Sequence, residues 1–284
     1  MKFGAREPFP LRGGTAVITG AASGIGAALA ANLASRGCNL ALADLNTAGL
    51  QGVAARARAA GVKVSEHRLD VADADAVAAF PEAVLGEHGR VSVLINNAGV
   101  STGGTFDQVS PTDFDWCVTI NFWGVVWMTR AFLPVLRRES AAQIVNLSSV
   151  YGLIAPPGNV AYSASKFAVR GFSEALRHEL EDAASPVGMT VVFPGGVRTN
   201  VAANARMGGL SNAEVEAGSK LVAKLLTFPP EGAAEAIVRG IERRKKRVLV
   251  GNKVRHVVAV ERLFPVNYWK VMAVLTGWNR QSAR

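Results

Sequence analysis

Cysteine is scarce in this 284-residue chain: Cys38 and Cys117 are the only two. Neither belongs to a CxxC pair or stands near a histidine cluster. A disulfide framework and a zinc site are therefore excluded, and two reduced, buried thiols in a reducing compartment are expected. The opening MKFGAREPFPLRGG lacks the apolar stretch of a secretory signal, and no run of about eighteen apolar residues is present to span a bilayer. A cytoplasmic location is the expectation. No DNA-binding motif occurs, and aromatic residues do not alternate with a basic face in the body of the chain. The net charge of +9 thus predicts no nucleic-acid partner. Much of the excess lies late, at Arg243, Arg244, Lys245, Lys246 and Arg247, then at Lys253, Arg255, Arg262 and Lys270. A solvated basic end is expected there.

Apolar residues are plentiful: 49% hydrophobic against 19% charged is enough for a substantial core in one large domain. Strand and helix patterns alternate from the start. Thr15–Thr19 reads as a short buried strand, and Ile25, Leu29 and Leu33 then recur at helical spacing. Further strands are predicted at Asn39–Ala43, Val62–Arg68, Val91–Ile95, Gln143–Leu147, Val187–Phe193 and Arg247–Val250. Helices are predicted at Thr47–Ala60, Asp73–His88, Pro111–Arg138, Val160–Ala184 and Glu231–Arg244. This alternation implies an α/β fold, a doubly wound parallel sheet of Rossmann type. The expected layout is an N-terminal arm (1–14), a catalytic domain (15–251) with a helical substrate-lid insert (200–230), and a C-terminal extension (252–284).

After the first strand comes Thr19-Gly20-Ala21-Ala22-Ser23-Gly24-Ile25-Gly26. Glycines at this GxxxGxG spacing let the backbone turn tightly and approach a pyrophosphate, which the new helix meets with free N–H groups and its positive end. Asp44, eighteen residues beyond Gly26, ends the second strand, where a carboxylate accepts hydrogen bonds from ribose hydroxyls. It would repel a 2′-phosphate, and no Arg or Lys occupies the turn to attract one, so NAD is expected over NADP. Asp70-Val71 ends the third strand and Asn96-Asn97-Ala98-Gly99 the fourth, on the edge where a ligand should lie.

Tyr162 and Lys166 stand at i and i+4 on a predicted helix and share a face. An ordinary tyrosine titrates near ~10 and is a poor base at neutral pH. A neighbouring ammonium, with the positive ring of an oxidised nicotinamide, would lower that value and fit the phenol for proton transfer. Ser149, thirteen residues earlier and just past a strand, would hold a substrate oxygen beside it.

Together these residues resemble the short-chain dehydrogenases/reductases, over roughly Thr15 to Val250. The resemblance implies that Gly20, Ser23, Gly24, Ile25 and Gly26 form the cofactor turn, that Asp44 meets the ribose, and that Asp70 and Val71 meet adenine. Asn97, Ala98 and Gly99 match the NNAG segment, and Asn121 matches an asparagine that holds a water in a proton relay. Ser149, Tyr162 and Lys166 match the catalytic triad, with Tyr162 and Lys166 also at the nicotinamide end of the cofactor. In Pro194–Thr199, Val197 and Thr199 would meet the carboxamide. The implied activity is NAD-dependent hydride transfer on a secondary alcohol or carbonyl, without a metal, in a homodimer or homotetramer paired through Pro111–Arg138 and Val160–Ala184.

The insert offers Val201, Leu210, Val215, Leu221, Val222, Leu225 and Leu226 as an apolar wall. With Trp116, Phe122, Trp123 and Trp127, it makes a lipophilic substrate attractive, although core or subunit contact is the simpler expectation for the tryptophans. The aromatic, basic tail is expected to pack on its own or a neighbouring subunit rather than on an anionic membrane. Rival readings are an NAD-binding regulator or scaffold of the same fold, and an NADP-linked carbonyl reductase.

Overall fold

In the computed structural model, which describes residues 8–209 and 225–276, the alternation becomes a seven-stranded parallel sheet. Its strands are β1 (Thr15–Thr19), β2 (Asn39–Asp44), β3 (Val64–Arg68), β4 (Val93–Asn96), β6 (Ala142–Leu147), β7 (Val187–Pro194) and β9 (Arg247–Val250). Their order is β3-β2-β1-β4-β6-β7-β9, and every pairing is parallel. The chain winds outward from β1 to β3, then returns to place β4 on the other side of β1. The crevice between β1 and β4 is thus the switch point at which ligands settle in such sheets.

Period-two alternation divides the strands between two cores. Ala16 and Ile18 face one side with Ile25, Leu29, Leu33, Leu50 and Ile237; Val17 faces the other with Val77, Phe80, Met128 and Phe132. Each large side chain buried this way contributes roughly 2 kcal/mol. Phe9 and Leu11, from the sequence-defined arm, lie in the first core, and the Phe9 N–H donates to the Glu242 carbonyl at 2.8 Å. Residues 1–7 of the arm lie outside the described residues.

The predicted helix Pro111–Arg138 needs correction. It is Pro111–Val118 and Gly124–Leu136, joined by a π-helical turn at Thr119–Trp123. Apolar residues run through the junction without a break, and a widened turn has no compositional mark, so periodicity alone reads one helix. Its start was legible: Pro111 occupies the first turn, and the Ser110 hydroxyl accepts from the Asp113 N–H at 3.1 Å.

A second, two-stranded sheet pairs β5 (Thr102–Gly103) with β8 (Arg206–Met207). In the insert, Asn200–Ala203 is helical, whereas Leu210, Val215, Leu221 and Val222 lie outside the described residues. The tail forms two helices, Val254–Leu263 and Tyr268–Thr276; Trp278 lies outside the described residues.

Candidate active site

The glycine turn is closed by contacts that leave no room for a side chain. Gly20 has φ +65°, and an added Cβ would lie 2.8 Å from Ala98 Cα. A Cβ at Gly26 would lie 2.1 Å from the Gly20 carbonyl oxygen. Thr19 Oγ1 accepts from the Asn97 and Ala98 N–H groups, both at 3.1 Å, while Asn97 Nδ2 donates to the Thr19 and Gly20 carbonyls at 2.9 and 3.0 Å. The NNAG segment thus buttresses the turn. Ser23, at the N-cap of helix Gly24–Ser35, makes no side-chain capping bond. The first-turn N–H groups have no intrahelical acceptor and stay available to an anion. Ile25 is buried in the core, and Thr199 lies against Gly24, its Cγ2 3.3 Å from where a Cβ would stand.

Asp44 is held at the end of β2 by both oxygens: Oδ2 accepts from the Ala22 N–H and Oδ1 from the Asn46 N–H, each at 2.9 Å. Asp70 Oδ1 accepts from the Ala72 N–H, Val71 packs on Gly124, and Val197 pairs with Phe228 in an isolated bridge.

The second cluster begins where the first ends. A Cβ at Gly99 would lie 3.1 Å from Asn121 Oδ1 and 3.3 Å from Lys166 Nζ. Asn121 is fully buried in the π-helical turn; its Oδ1 accepts from the Val100 N–H at 2.8 Å, and its Nδ2 donates to the Val100 carbonyl at 2.9 Å and to Ser165 Oγ at 3.0 Å. Lys166, one helical turn beyond Tyr162, donates to the Leu147 carbonyl at 3.1 Å, and its Nζ lies 5.7 Å from the Tyr162 ring centroid. Ser149 caps the turn after β6, accepting from the Tyr151 N–H at 3.1 Å, and its hydroxyl is close enough to the Tyr162 phenol to pull its pKa down.

Burial governs the titration of the pair. It pushes the Tyr162 phenol up to about 12, against the downward pull of the Ser149 hydroxyl. It pushes the Lys166 ammonium down to about 8. The expectation pairs a neighbouring ammonium with the positive ring of an oxidised nicotinamide; the chain's own groups by themselves leave the phenol less acidic than a free tyrosine. The amine is turned toward the Leu147 carbonyl, and desolvation is the largest influence on the phenol.

A match to the short chain dehydrogenase family covers residues 14–208. The chain belongs to the short-chain dehydrogenases. It is 43% identical over 261 residues to a Mycobacterium tuberculosis protein named as an oxidoreductase, SadH, covering 92% of this chain and 94% of that one. A short-chain dehydrogenase/reductase from Burkholderia phymatum, solved in complex with NAD, superposes with a TM-score of 0.84 at 32% identity over 90% of this chain and 95% of that one. A metagenomic short-chain oxidoreductase solved with NADP gives 0.69 at 30% identity, over 85% of this chain and 98% of that one.

In this short-chain dehydrogenase the structure also joins residues to the site that the motifs passed over. Thr19 fixes the NNAG backbone, Ser165 bonds Asn121 and accompanies the Cys117 thiol, and Tyr151 meets Tyr162 edge-on at 5.9 Å between centroids. A threonine closing β1 directly before the glycines was the one readable signal among them. The predicted aromatic wall divides: Trp123 stacks on Trp127, and Phe122 meets Trp123 tilted and Phe172 edge-on, while Trp116 lies under the Arg206 guanidinium at 3.8 Å.

Proposed function

We propose that this chain is an NAD-dependent oxidoreductase that interconverts a secondary alcohol and a carbonyl, with a lipophilic substrate. The observation that carries the reading is the meeting of Ser149, Tyr162, Lys166 and Asn121 at the end of a glycine cradle too tight for any side chain. That cradle fits a dinucleotide. The first-turn N–H groups around Gly20, Ser23, Gly24, Ile25 and Gly26 would hold the pyrophosphate, Asp44 the adenosine ribose, and Asp70 and Val71 the adenine. Asn97, Ala98, Gly99, Tyr162 and Lys166 would line the nicotinamide half, with Val197 and Thr199 at the carboxamide.

The cofactor supplies hydride transfer. The chain's residues handle the oxygen and its proton. Ser149 holds the substrate oxygen against the Tyr162 phenol; Tyr162 accepts the proton in oxidation and returns it in reduction. Lys166 keeps its charge at neutral pH even with its pKa down at about 8, and so favours the ionised phenol. Asn121 positions the segment at Val100 and is assigned the water that links the relay to solvent. The complete Ser149–Tyr162–Lys166 set argues against a purely regulatory role. Trp123, Phe167 and Val160, exposed on the helices after β4 and β6, favour assembly of two or four copies through those faces.

One observation favours NADP instead. Arg68 stands beside Asp44 in the β2–β3 ladder, near where a 2′-phosphate would lie. Asp44 is held closer to the turn by two backbone N–H groups, and we assign it the decision. In Tyr162→Phe, oxidation of a secondary alcohol with NAD should fall by about 10³-fold, while fluorescence titration still registers NADH binding. Unchanged turnover would remove Tyr162 from the mechanism and the proposal with it.

A further inference from the structure

The C-terminal helical pair presents an apolar tip to solvent. Residues 262–267, which end the first helix and join it to the second, are exposed throughout, with Leu263 at 74%, Phe264 at 47% and Val266 at 88%. On the second helix Val274 and Leu275 are 82% and 71% exposed. Solvating such a run is unfavourable, and contiguous exposed apolar surface marks a contact with another phase or molecule.

The same segment is cationic. Between residues 252 and 276 stand Lys253, Arg255, Arg262 and Lys270 against one carboxylate, Glu261. None of the four cations forms an ion pair among the described residues. No helix among the described residues is long and apolar enough to cross a bilayer, so the segment would lie on a surface rather than span one.

From this juxtaposition we propose that the hairpin Val254–Thr276 docks the protein on an anionic lipid surface, with Leu263–Val266 entering the headgroup layer and the flanking cations meeting lipid phosphates. Charge decides between a bilayer and a second copy. Two such hairpins facing each other across a two-fold axis would oppose like charges, whereas an anionic leaflet complements them.

The hairpin is seated beside the candidate site. Tyr268 Oη accepts from the Ala155 N–H at 2.9 Å, and Val254 packs where Gly195 and Val150 meet, one residue after Ser149. Docking therefore turns the substrate side toward the bilayer, and a bilayer-dissolved alcohol would reach Tyr162 without crossing water. This delivery rests on the proposed reaction; the docking does not.

The test is flotation of the full-length protein, without cofactor or substrate, on phosphatidylcholine vesicles with and without phosphatidylglycerol. Binding should appear with the anionic lipid and fall by about tenfold or more in Arg262→Glu/Lys270→Glu and in Phe264→Glu/Val266→Glu. The latter pair should keep its turnover of a water-soluble alcohol. Tyr162→Phe should float like the unmodified protein, so failure of the reaction reading leaves this result untouched. Absence of flotation, or equal flotation of the glutamate variants, would overturn the proposal. So would a drop in solution mass of Phe264→Glu/Val266→Glu by light scattering, which would assign the tip to a second copy.

Discussion

Around the glycine turn an added methyl has nowhere to go. Gly20, Gly26 and Gly99 each face backbone or buried polar atoms, and bonds between Thr19 of β1 and Asn97 after β4 lock the turn. Beyond Ser149 the ligand edge is closed by side chains drawn from far apart: Tyr151 on Tyr162, Val254 on Gly195, and Tyr268 on the loop at Ala155. The first region is shaped by peptide groups and tolerates almost no variation in residue type. The second is shaped by side chains and fixes only volume and polarity. A common ligand part suits the first, and a variable one suits the second.

The sharpest way to break this contrast is Gly26→Ala. With a Cβ 2.1 Å from the Gly20 oxygen, the turn must open, at a cost of about 3 kcal/mol in urea unfolding, with loss of NADH binding. A variant that binds normally would show that the turn is looser than its contacts imply. Lys166→Met probes the meeting point of the two regions. The folded-state pKa of about 8 lies below the ordinary 10.5, so the folded protein gives up this proton first as pH rises. Stability from this group therefore increases between pH 8 and 10.5 and is lowest below 8. Unfolding at several pH values should show the unmodified protein gaining on Lys166→Met across that window, by up to about 3 kcal/mol. Parallel curves would mean the amine is solvated.

Asn121→Ala should be milder, near 2 kcal/mol, because the Val100 N–H and carbonyl and the Ser165 hydroxyl lose partners inside the core. Turnover should fall with it, and unchanged stability would contradict these bonds. The smallest effect is expected from Asp44→Ala. The preference for NAD over NADP should narrow by about tenfold, or 1.4 kcal/mol, as read from kcat/KM with each. A preference for NADPH in the unmodified protein would transfer the deciding role to Arg68.

The contrast also explains what could be read beforehand. The doubly wound parallel sheet and the glycine turn were legible because short apolar runs alternating with helical spacing, and obligatory glycines, leave direct marks in residue type. The i, i+4 spacing brought Tyr162 and Lys166 to one helical face, yet it carried nothing about where the amine would point. The Leu147 carbonyl that draws it belongs to a strand fifteen residues before Tyr162. The π-helical turn at Asn121 and the two-residue strands β5 and β8 depend on backbone pairings that no local pattern encodes. Desolvation of Tyr162 is likewise a property of the assembled interior.

The small β5–β8 ladder has a consequence for how this scaffold can be diversified. Arg206 and Gly208 N–H groups donate to the Ser101 and Gly103 carbonyls at 3.1 and 3.0 Å, so main chain clips the insert to the strand-four loop, and the Arg206 side chain adds an ion pair to Asp113 and a contact with Trp116. The main-chain part of that fastening ignores what the side chains from Asn200 to Ala205 are. The stretch from Asn200 to Ala205 can therefore be rewritten to accept a different molecule while its anchorage at Arg206–Gly208, beside Val100 and Asn121, survives, leaving the proton machinery in register.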